Sequence, residues 1–425
     1  MRFKKWTAAL MCAALSSGAL AACGDDEESA GGGNASTSAA PPAEDKTPKG
    51  DPIVVGAICS CSGAQAAVLS EIKEVNEAWA KSVNAKGGIN GHPVKMIVKD
   101  DAGEPAKALA AAKELVEKDK VVAFVGMFSL AEAAWEKYVS GKGIPVVGGL
   151  SISPPFLSNP DWFPSGSNQV TATFGTMQSA KDAGKKSVGV LYCAESPVCA
   201  QLDPLAKGAA QVVGGLAYKS GKVSGSAPNY TAPCLSMKSA GVDALYAASN
   251  SSVVQRLIND CAKQGYKPLS IGSINTVGSD WFDNPNLEGA VSVSSNANYT
   301  DESVPGVKEY MDAIDQYVPG LREKDGYGSN YLQPWAGGKL FEAAAEAGKF
   351  TPKSTPEDIK AGLYQLKDET LDGLMSPTTF TKGKPTFVPC YFGTKIEGGK
   401  LVSTDGGKPK CLTPEQVKTL TAGLS

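Results

Sequence analysis

The feature that most constrains the fold is an alternation of short apolar runs with longer amphipathic stretches, which begins at Ile53. The first short runs are IVVGAI, VKMIVKD and VVAFVG, and between them lie AQAAVLSEIKEVNEAWAKSVNA and EPAKALAAAKELVEKD. Short runs rich in Val and Ile predict buried strands, whereas the amphipathic stretches predict helices. Strands and helices in alternation are typical of a doubly wound, mostly parallel α/β sheet.

A second series of the same kind follows the first. Its predicted strands include SVGVLYC, VDALYAAS and PLSIGS, and its predicted helices include AQLDPLAKGAAQVV and SVVQRLINDCAKQGY. Both series begin with a strand that leads into a cysteine-bearing polar loop, namely IVVGAICSCSGAQA and SVGVLYCAESPVCA. Since 425 residues exceed one ordinary hydrophobic core, the sequence predicts two α/β lobes of similar topology.

Long helices and a closing hairpin follow residue 296. The predicted helices are VPGVKEYMDAIDQYV and SNYLQPWAGGKLFEAAAEAG, and the hairpin is TFVPCYFGTKIEGGKLV, with a turn at EGGK. These elements alone would make a thin core, so we expect them to dock on the earlier lobes. Between the two series, DWFPSGSNQVTATFG has the Pro, Gly, Ser and Asn content of a crossover.

The N-terminus predicts export. Residues 1–22 combine a basic start with an apolar run that is too short for a comfortable membrane span, as in a signal peptide. The run ends in LAAC, which resembles the bacterial lipobox, so we expect cleavage before Cys23 and lipidation of that cysteine. Residues 23–51, rich in Gly, Ser, Ala, Pro and acidic residues, predict a flexible linker. The folded part is expected to start at Pro52.

Charge and motif content argue against several functions. A formal net charge of −3 supplies no basic surface for nucleic acid. The sequence has no phosphate-binding P-loop, no G-x-G-x-x-G after the first strand and no G-x-S-x-G nucleophile elbow. The one histidine, His92, lies in a predicted turn, NGHPV, which disfavours Ser/His and Cys/His catalysis. We therefore expect no enzyme activity, no metal site and no cofactor.

The cysteines predict disulfides. Of ten cysteines, Cys12 falls in the predicted signal peptide and Cys23 is the predicted lipidation site, which leaves an even number in an exported protein. Proximity in the sequence favours four local pairs. The pair across one intervening residue is tight, so either member could instead bond elsewhere or remain a thiol. The favoured pairs are Cys59–Cys61, Cys193–Cys199, Cys234–Cys261 and Cys390–Cys411.

One stretch is specific enough to suggest a family. Residues 84–126, NAKGGINGHPVKMIVKDDAGEPAKALAAAKELVEKDKVVAFVG, resemble the extracytoplasmic solute-binding proteins of ABC transporters, in particular the type I leucine/isoleucine/valine-binding family. The shared pattern is an N-x-x-G-G-I-x-G turn, a strand that runs to an acidic residue (Asp100 or Asp101), and a helix and strand that end in a glycine-bounded loop. The segment SISPPFL and the helix from Tyr331 to Ala347 also fit this family.

The resemblance implies a type I periplasmic binding protein fold, in which two Rossmann-like lobes joined by three crossovers close on a ligand about a hinge. It predicts that lobe 1 comprises residues 52–168 and 297–383. Lobe 2 is predicted to comprise residues 169–296 and 384–425. Because α/β sheets bind ligands beyond the carboxyl ends of their strands, the cleft between the lobes is also where the topology predicts the site.

In lobe 1, the resemblance assigns ligand contacts to loops that follow the strands. A serine after the third strand and hydroxyl or backbone groups after the fourth hold the ligand carboxylate in this family, and helix N-termini behind them favour an anion. The alternative is that these serines are N-caps. The candidates are Ser62 and Gln65 in CSCSGAQ, Phe128 and Ser129 in GMFSLAE, and Ser151 and Ser153 in LSISPPF.

Lobe 2 departs from the family pattern. Asn250 stands where an aromatic residue that covers the ligand is expected, and Ile274 or Asn275 stands where an acid for the α-ammonium group is expected. Glu195, Asp280 or Tyr192 could substitute from adjacent loops, so the candidates here are Tyr192, Glu195, Asn250 and Asn275. An amino acid, a carboxylate, an amide or a small aromatic ligand therefore remains open.

The leading functional hypothesis is a receptor at the outer face of the cell membrane, anchored by lipidated Cys23, that passes a small solute to an ABC permease. A second hypothesis is a sensor domain of the same fold that signals to a membrane partner, and a neighbouring permease and ATPase gene would distinguish the two. A third is a secreted α/β hydrolase, which the single turn-located histidine disfavours.

Overall fold

The computed structural model describes residues 47–63, 66–195 and 197–422. Its strands are β1 (Ile53–Cys59), β2 (Val94–Asp100), β3 (Phe124–Met127), β4 (Val146–Gly149), β5 (Trp162–Phe163), β6 (Ser187–Cys193), β7 (Ala217–Val223), β8 (Ala244–Ala248), β9 (Leu269–Ser273), β10 (Val291–Ser294), β11 (Cys390–Glu397), β12 (Lys400–Ser403) and β13 (Lys410–Cys411). Its helices are α1 (Ala66–Leu69), α2 (Ile72–Ala85), α3 (Pro105–Glu117), α4 (Glu136–Gly141), α5 (Pro155–Ser158), α6 (Gln169–Asp182), α7 (Leu202–Val213), α8 (Thr231–Ser239), α9 (Ser251–Lys263), α10 (Pro305–Tyr317), α11 (Leu332–Gly348), α12 (Pro356–Leu363) and α13 (Pro414–Thr421).

The first sheet is parallel throughout, with strand order β2-β1-β3-β4-β5. Strand β1 pairs with β2 from Ile53 opposite Val94 to Cys59 opposite Asp100. Six of its seven residues are buried, which explains its near-continuous apolar sequence. The chain winds outward in both directions from β1, so the carboxyl ends of β1 and β3 flank a switch point, where such sheets bind ligands.

The second sheet repeats this plan and extends it. Strands β7-β6-β8-β9-β10 are parallel, and the switch point lies between β6 and β8. The closing hairpin predicted from EGGK is β11 and β12, and β11 joins the sheet antiparallel to β10. The predicted doubly wound α/β architecture with two lobes is confirmed.

The late helices complete the first lobe, although their sequence follows that of the second. Helix α11 packs on β3, β4 and α2. Its glycines permit this close approach: a Cβ on Gly337 would lie 2.8 Å from Gly126 Cα, and a Cβ on Gly338 would lie 2.5 Å from the Trp79 ring. Both distances are shorter than real Cβ contacts, so the AGGKL segment of α11 fits only with glycine.

The links between the sheets are tied together by one asparagine. Three segments make these links: residues 164–168, 295–304 and 364–389. Asn296, 2% exposed in the second segment, donates from Nδ2 to the Ser165 carbonyl (2.7 Å) in the first and to the Leu374 carbonyl (3.3 Å) in the third. Gly166 leaves room for it, since a Cβ there would lie 3.0 Å from Asn296 Oδ1. This side chain therefore connects all three crossovers by hydrogen bonds.

Within the described part of the chain, no helix combines the length and the apolar character needed to cross a membrane. The predicted signal peptide, Cys23 and the linker up to residue 46 lie outside the described residues.

We expect the substitution Asn296→Ala to lower the free energy of unfolding by about 1–3 kcal/mol, because it removes the donor shared by two buried backbone carbonyls. Urea denaturation followed by tryptophan fluorescence measures this. Gln316→Ala, at an exposed position on α10, is the control and should change it by less than about 0.5 kcal/mol. Equal midpoints for the two variants would contradict a structural role for Asn296.

Candidate functional site

A buried carboxylate joins the ends of the first three strands. Asp101, which follows β2, is 0% exposed. Its Oδ1 accepts hydrogen bonds from Ser60 Oγ (2.7 Å) and from the Gly103 amide (2.7 Å), and its Oδ2 accepts one from Ser129 Oγ (2.5 Å). Ser60 follows β1 and Ser129 lies beyond β3, so the three loops at the switch point share one hydrogen-bonded centre.

The hydroxyl of Ser129 is fully used by this centre. It donates to Asp101 and accepts from the Ala131 amide (3.1 Å) and from Trp135 Nε1 (3.3 Å). A serine hydroxyl has one donor and two acceptor positions, and all three are occupied. A solute carboxylate would have to displace the bond to Asp101, so the predicted contact between Ser129 and a ligand stays a prediction.

The neighbouring acid, Asp100, holds the first cysteine loop. Its Oδ1 accepts hydrogen bonds from the backbone amides of Cys61 (3.0 Å), Ser62 (3.2 Å) and Ala102 (2.9 Å). Burial raises the pKa of Asp100, but the hydrogen bonds from Ser62, Ala102 and Cys61 outweigh the burial and keep the pKa below its ordinary value. The carboxylate is therefore ionised at neutral pH and fixes the backbone of ICSCSG beside the switch point.

The second lobe anchors its cysteine loop with an acid of its own. Glu195, in the loop after β6, accepts at Oε1 from Ser224 Oγ (2.7 Å) and from the Gly225 amide (2.7 Å), both beyond the end of β7. These hydrogen bonds lower the pKa of Glu195. The predicted ligand residue Glu195 thus bridges two loops of the second lobe.

Asn250 and Asp280 both form hydrogen bonds at the N-terminal end of α9. Asn250 is the N-cap of α9, and its Oδ1 accepts from the Val253 amide (3.0 Å) and from Ser252 Oγ (3.0 Å). Asp280 accepts from Ser251 Oγ (2.8 Å).

The other predicted residues are mostly buried. Phe128 (2% exposed) extends the pairing of β1 with β3, since its amide donates to the Ile58 carbonyl. Ser151 (0% exposed) donates to the Gly149 carbonyl (3.3 Å), and Ser153 is also buried. Tyr192 is buried at the end of β6, Ser62 is exposed, and Gln65 lies outside the described residues.

One contact joins the lobes across the cleft. Asn275, in a 3-10 turn after β9, accepts at Oδ1 from Ser329 Oγ (2.6 Å) and from Gln333 Nε2 (3.4 Å). Ser329 lies just before α11 and Gln333 lies in its first turn, on the side of the first lobe. Neither residue is among the site candidates predicted from the sequence. The available sequence signal for Gln333 is a glutamine within the apolar segment YLQPWAGG, because a carboxamide in a buried position is expected to have a hydrogen-bonding partner.

A pocket of about 280 Å³ lies at the carboxyl ends of β8, β9 and β10. Ile152, beyond β4, contributes from the first lobe, and α6 and the strand ends contribute from the second. Of the predicted ligand residues, Asn275 lines this pocket; the structure places Ser129 instead in the Asp101 centre. The lining residues are Ile152, Gln169, Ala172, Thr173, Thr176, Tyr246, Ala248, Ser249, Ser273, Ile274, Asn275, Thr276, Val293 and Ser295.

Disulfides join the pairs that sequence proximity favoured. Two of them, Cys59–Cys61 and Cys193–Cys199, close loops after β1 and β6, the first strands of the two sheets. Cys234–Cys261 links α8 to α9, and Cys390–Cys411 links β11 to β13. Among the described residues, no group of three or more His, Cys, Asp or Glu side chains is placed to hold a metal ion.

Comparison with known proteins adds sequence relatives. A family model described as "Periplasmic binding protein" matches residues 52–400. A curated "Amino acid binding protein" of Pseudomonas aeruginosa is 40% identical over 76 residues, which cover 18% of this chain and 20% of that protein. The aligned stretch therefore spans about a fifth of the length of this relative.

Solved structures match over a much larger part of the chain. A fatty acid ABC transporter substrate-binding protein from Thermomonospora curvata has a TM-score of 0.68 at 18% identity, and the match covers 87% of this chain and 94% of that one. An ABC transporter solute-binding protein from R. palustris in complex with benzoate has a TM-score of 0.66 at 16% identity, with coverage of 85% and 98%. At these identities the likeness establishes the fold.

We expect Asp101→Asn to lower the free energy of unfolding by about 1–3 kcal/mol, because the amide turns an N–H₂ group towards a hydroxyl donor and leaves a buried hydrogen bond unmade. Urea denaturation checks the prediction, and Asp312→Asn on the exposed face of α10 is the control. Equal stability of Asp101→Asn and the control would contradict the view that this carboxylate organises the three loops.

Proposed function

Because the chain belongs to the periplasmic binding protein family, we propose that it captures a small polar solute between its two lobes and delivers it to an ABC importer. The solute is an amino acid or a related carboxylate or amide. The protein binds and releases this solute and catalyses no reaction.

The observation that carries the proposal is the pocket beside the Asn275–Ser329 hydrogen bond. Its wall combines strand ends of the second lobe with Ile152 of the first, as expected for a ligand enclosed between lobes. It also lies at the carboxyl ends of parallel strands, where open α/β sheets bind ligands. The three crossovers meet at Asn296, and we propose that the lobes hinge about this point.

The relatives support solute binding in general. Their names include an amino acid, a fatty acid and benzoate, which are different chemical classes held by one fold. We therefore propose a small organic solute as the ligand and an ABC importer as the partner. The class of solute depends on the residues of this chain.

We further propose that the protein is extracytoplasmic and tethered to the outer face of the cell membrane through lipidated Cys23. The support is the basic and apolar N-terminal sequence, the LAAC motif and the Gly/Ser/Pro-rich stretch that follows. A tether of this composition would let the folded part reach a permease in the same membrane.

A thermal-shift screen tests solute binding. Purified protein is heated with amino acids, amides, polyols and aromatic or aliphatic acids. A solute at roughly one hundred times its Kd stabilises the folded state by about 2.7 kcal/mol, so a true ligand raises the melting temperature in a concentration-dependent way. If no class of solute shifts the transition, the proposed function is wrong.

Cell fractionation tests the tether. We expect the wild-type protein in the membrane fraction with the mass of a diacylated N-terminal cysteine, and Cys23→Ser to lose both the lipid mass and the cleavage that depends on it. Cys12→Ser, within the predicted signal peptide, is the control and should behave as wild type. An unmodified Cys23 in mature wild-type protein would contradict the lipid anchor.

A further inference from the structure

Two turns, one from each lobe, lie against each other in the cleft. The turn at Ile274–Thr276 follows β9 in the second lobe, and the turn at Ser329–Tyr331 precedes α11 in the first lobe. Both turns have buried side chains, since Ile274 is 2% exposed and Ser329 is 4% exposed. The contact between the lobes at this point therefore consists of protein groups alone.

The turn of the second lobe is held by its own hydrogen bonds. Ser273 Oγ accepts from the Asn275 amide (3.3 Å), and Thr276 Oγ1 donates to the Ser273 carbonyl (2.8 Å). The Asn275 side chain therefore projects from a turn whose conformation does not depend on the first lobe.

The turn of the first lobe is likewise fixed within its own lobe. Tyr331 OH donates to Glu71 Oε2 (2.9 Å), just before α2. The chain that leads into the turn approaches α1 closely, since a Cβ on Gly326 would lie 2.2 Å from the Ala67 carbonyl oxygen. Two turns that are ordered in advance lose little conformational entropy when they meet, so more of the bonding between them stabilises the closed arrangement.

The hydrogen bonds between the turns favour closure by a limited amount. Asn275 Oδ1 accepts from Ser329 Oγ (2.6 Å) and, at a longer distance, from Gln333 Nε2 (3.4 Å). One such bond shifts an equilibrium by about two- to tenfold, because opening replaces it with hydrogen bonds to water. Gln333 Oε1 is buried and has no partner within the described part of the chain, which opposes closure. The balance is small enough for the contact to open and close.

We infer that Asn275 and Ser329, supported by Gln333, form a latch that closes the lobes on each other before a solute binds. A solute enters while the latch is open, and the latch re-forms when the lobes close over the solute. The proposed function requires only that the lobes close on a solute, whereas the latch makes closure the resting state of the free protein. Because the latch consists of protein groups, the inference does not depend on the class of solute.

Small-angle X-ray scattering from the purified protein without solute tests the latch. We expect the wild-type curve to match the closed arrangement. Ser329→Ala removes the main donor and Asn275→Ala removes the acceptor of both bonds, so both variants should have a larger radius of gyration. Ser236→Ala, at an exposed position of α8, is the control and should scatter as wild type. A wild-type curve of an open form, or folded latch variants that scatter as wild type, overturns the inference.

Binding kinetics distinguish the latch from a bond that forms only after a solute has bound. Stopped-flow fluorescence with a solute found in the thermal screen gives both rate constants. We expect Ser329→Ala to raise association and dissociation alike, by about two- to tenfold, and to leave Kd within about twofold of wild type. The reason is that the same bond is lost from the closed free protein and from the closed complex. Faster dissociation with unchanged association would place the bond in the complex alone and overturns the inference.

The latch and the proposed function fail independently. Scattering is measured without solute, so an open wild-type protein overturns the latch and leaves the proposed function standing. If no solute shifts the melting temperature, the proposed function is wrong, and the scattering curves still decide whether the lobes are latched.

Discussion

The cleft edge of the first lobe depends on the buried carboxylate of Asp101. Parallel strands end at the same edge of a sheet, but their loops lie beyond the backbone ladder and need another link. Asp101 provides it by accepting hydrogen bonds from Ser60 and Ser129, which belong to loops after β1 and β3. These bonds offset the cost of burying a polar carboxyl group. In this arrangement all hydrogen-bonding positions of the Ser129 hydroxyl are occupied, so a solute would contact it only by displacing one of these bonds.

The fold was predictable from the sequence because its signals are local or periodic. The continuous apolar character of β1 follows from burial on both faces of a parallel sheet, and each disulfide joins cysteines that are close in the sequence. The EGGK turn likewise identified the hairpin of β11 and β12. These features require no knowledge of contacts between distant parts of the chain.

The candidate site was less predictable, because it depends on contacts without a periodic signature. Asn275 and Ser329 meet across the two lobes although 54 positions separate them in the chain. The sequence assigned Ser329 to the start of a helix, whereas the structure has a 3-10 turn at Ser329–Tyr331, and α11 begins at Leu332. Family resemblance pointed to loops at the carboxyl ends of the strands, but it could not show which hydroxyls there are occupied by internal hydrogen bonds.

The two cysteine loops are anchored by carboxylates in complementary ways. In the first lobe the acid, Asp100, lies at the end of the second strand and receives amides from the disulfide loop at Cys61 and Ser62. In the second lobe the acid, Glu195, lies in the disulfide loop itself and receives the amide of Gly225 beyond the next strand. Each loop is thereby fixed without a bound solute. Preorganised loops reduce the ordering cost of binding, so less of the binding free energy of a solute is spent on fixing these two loops.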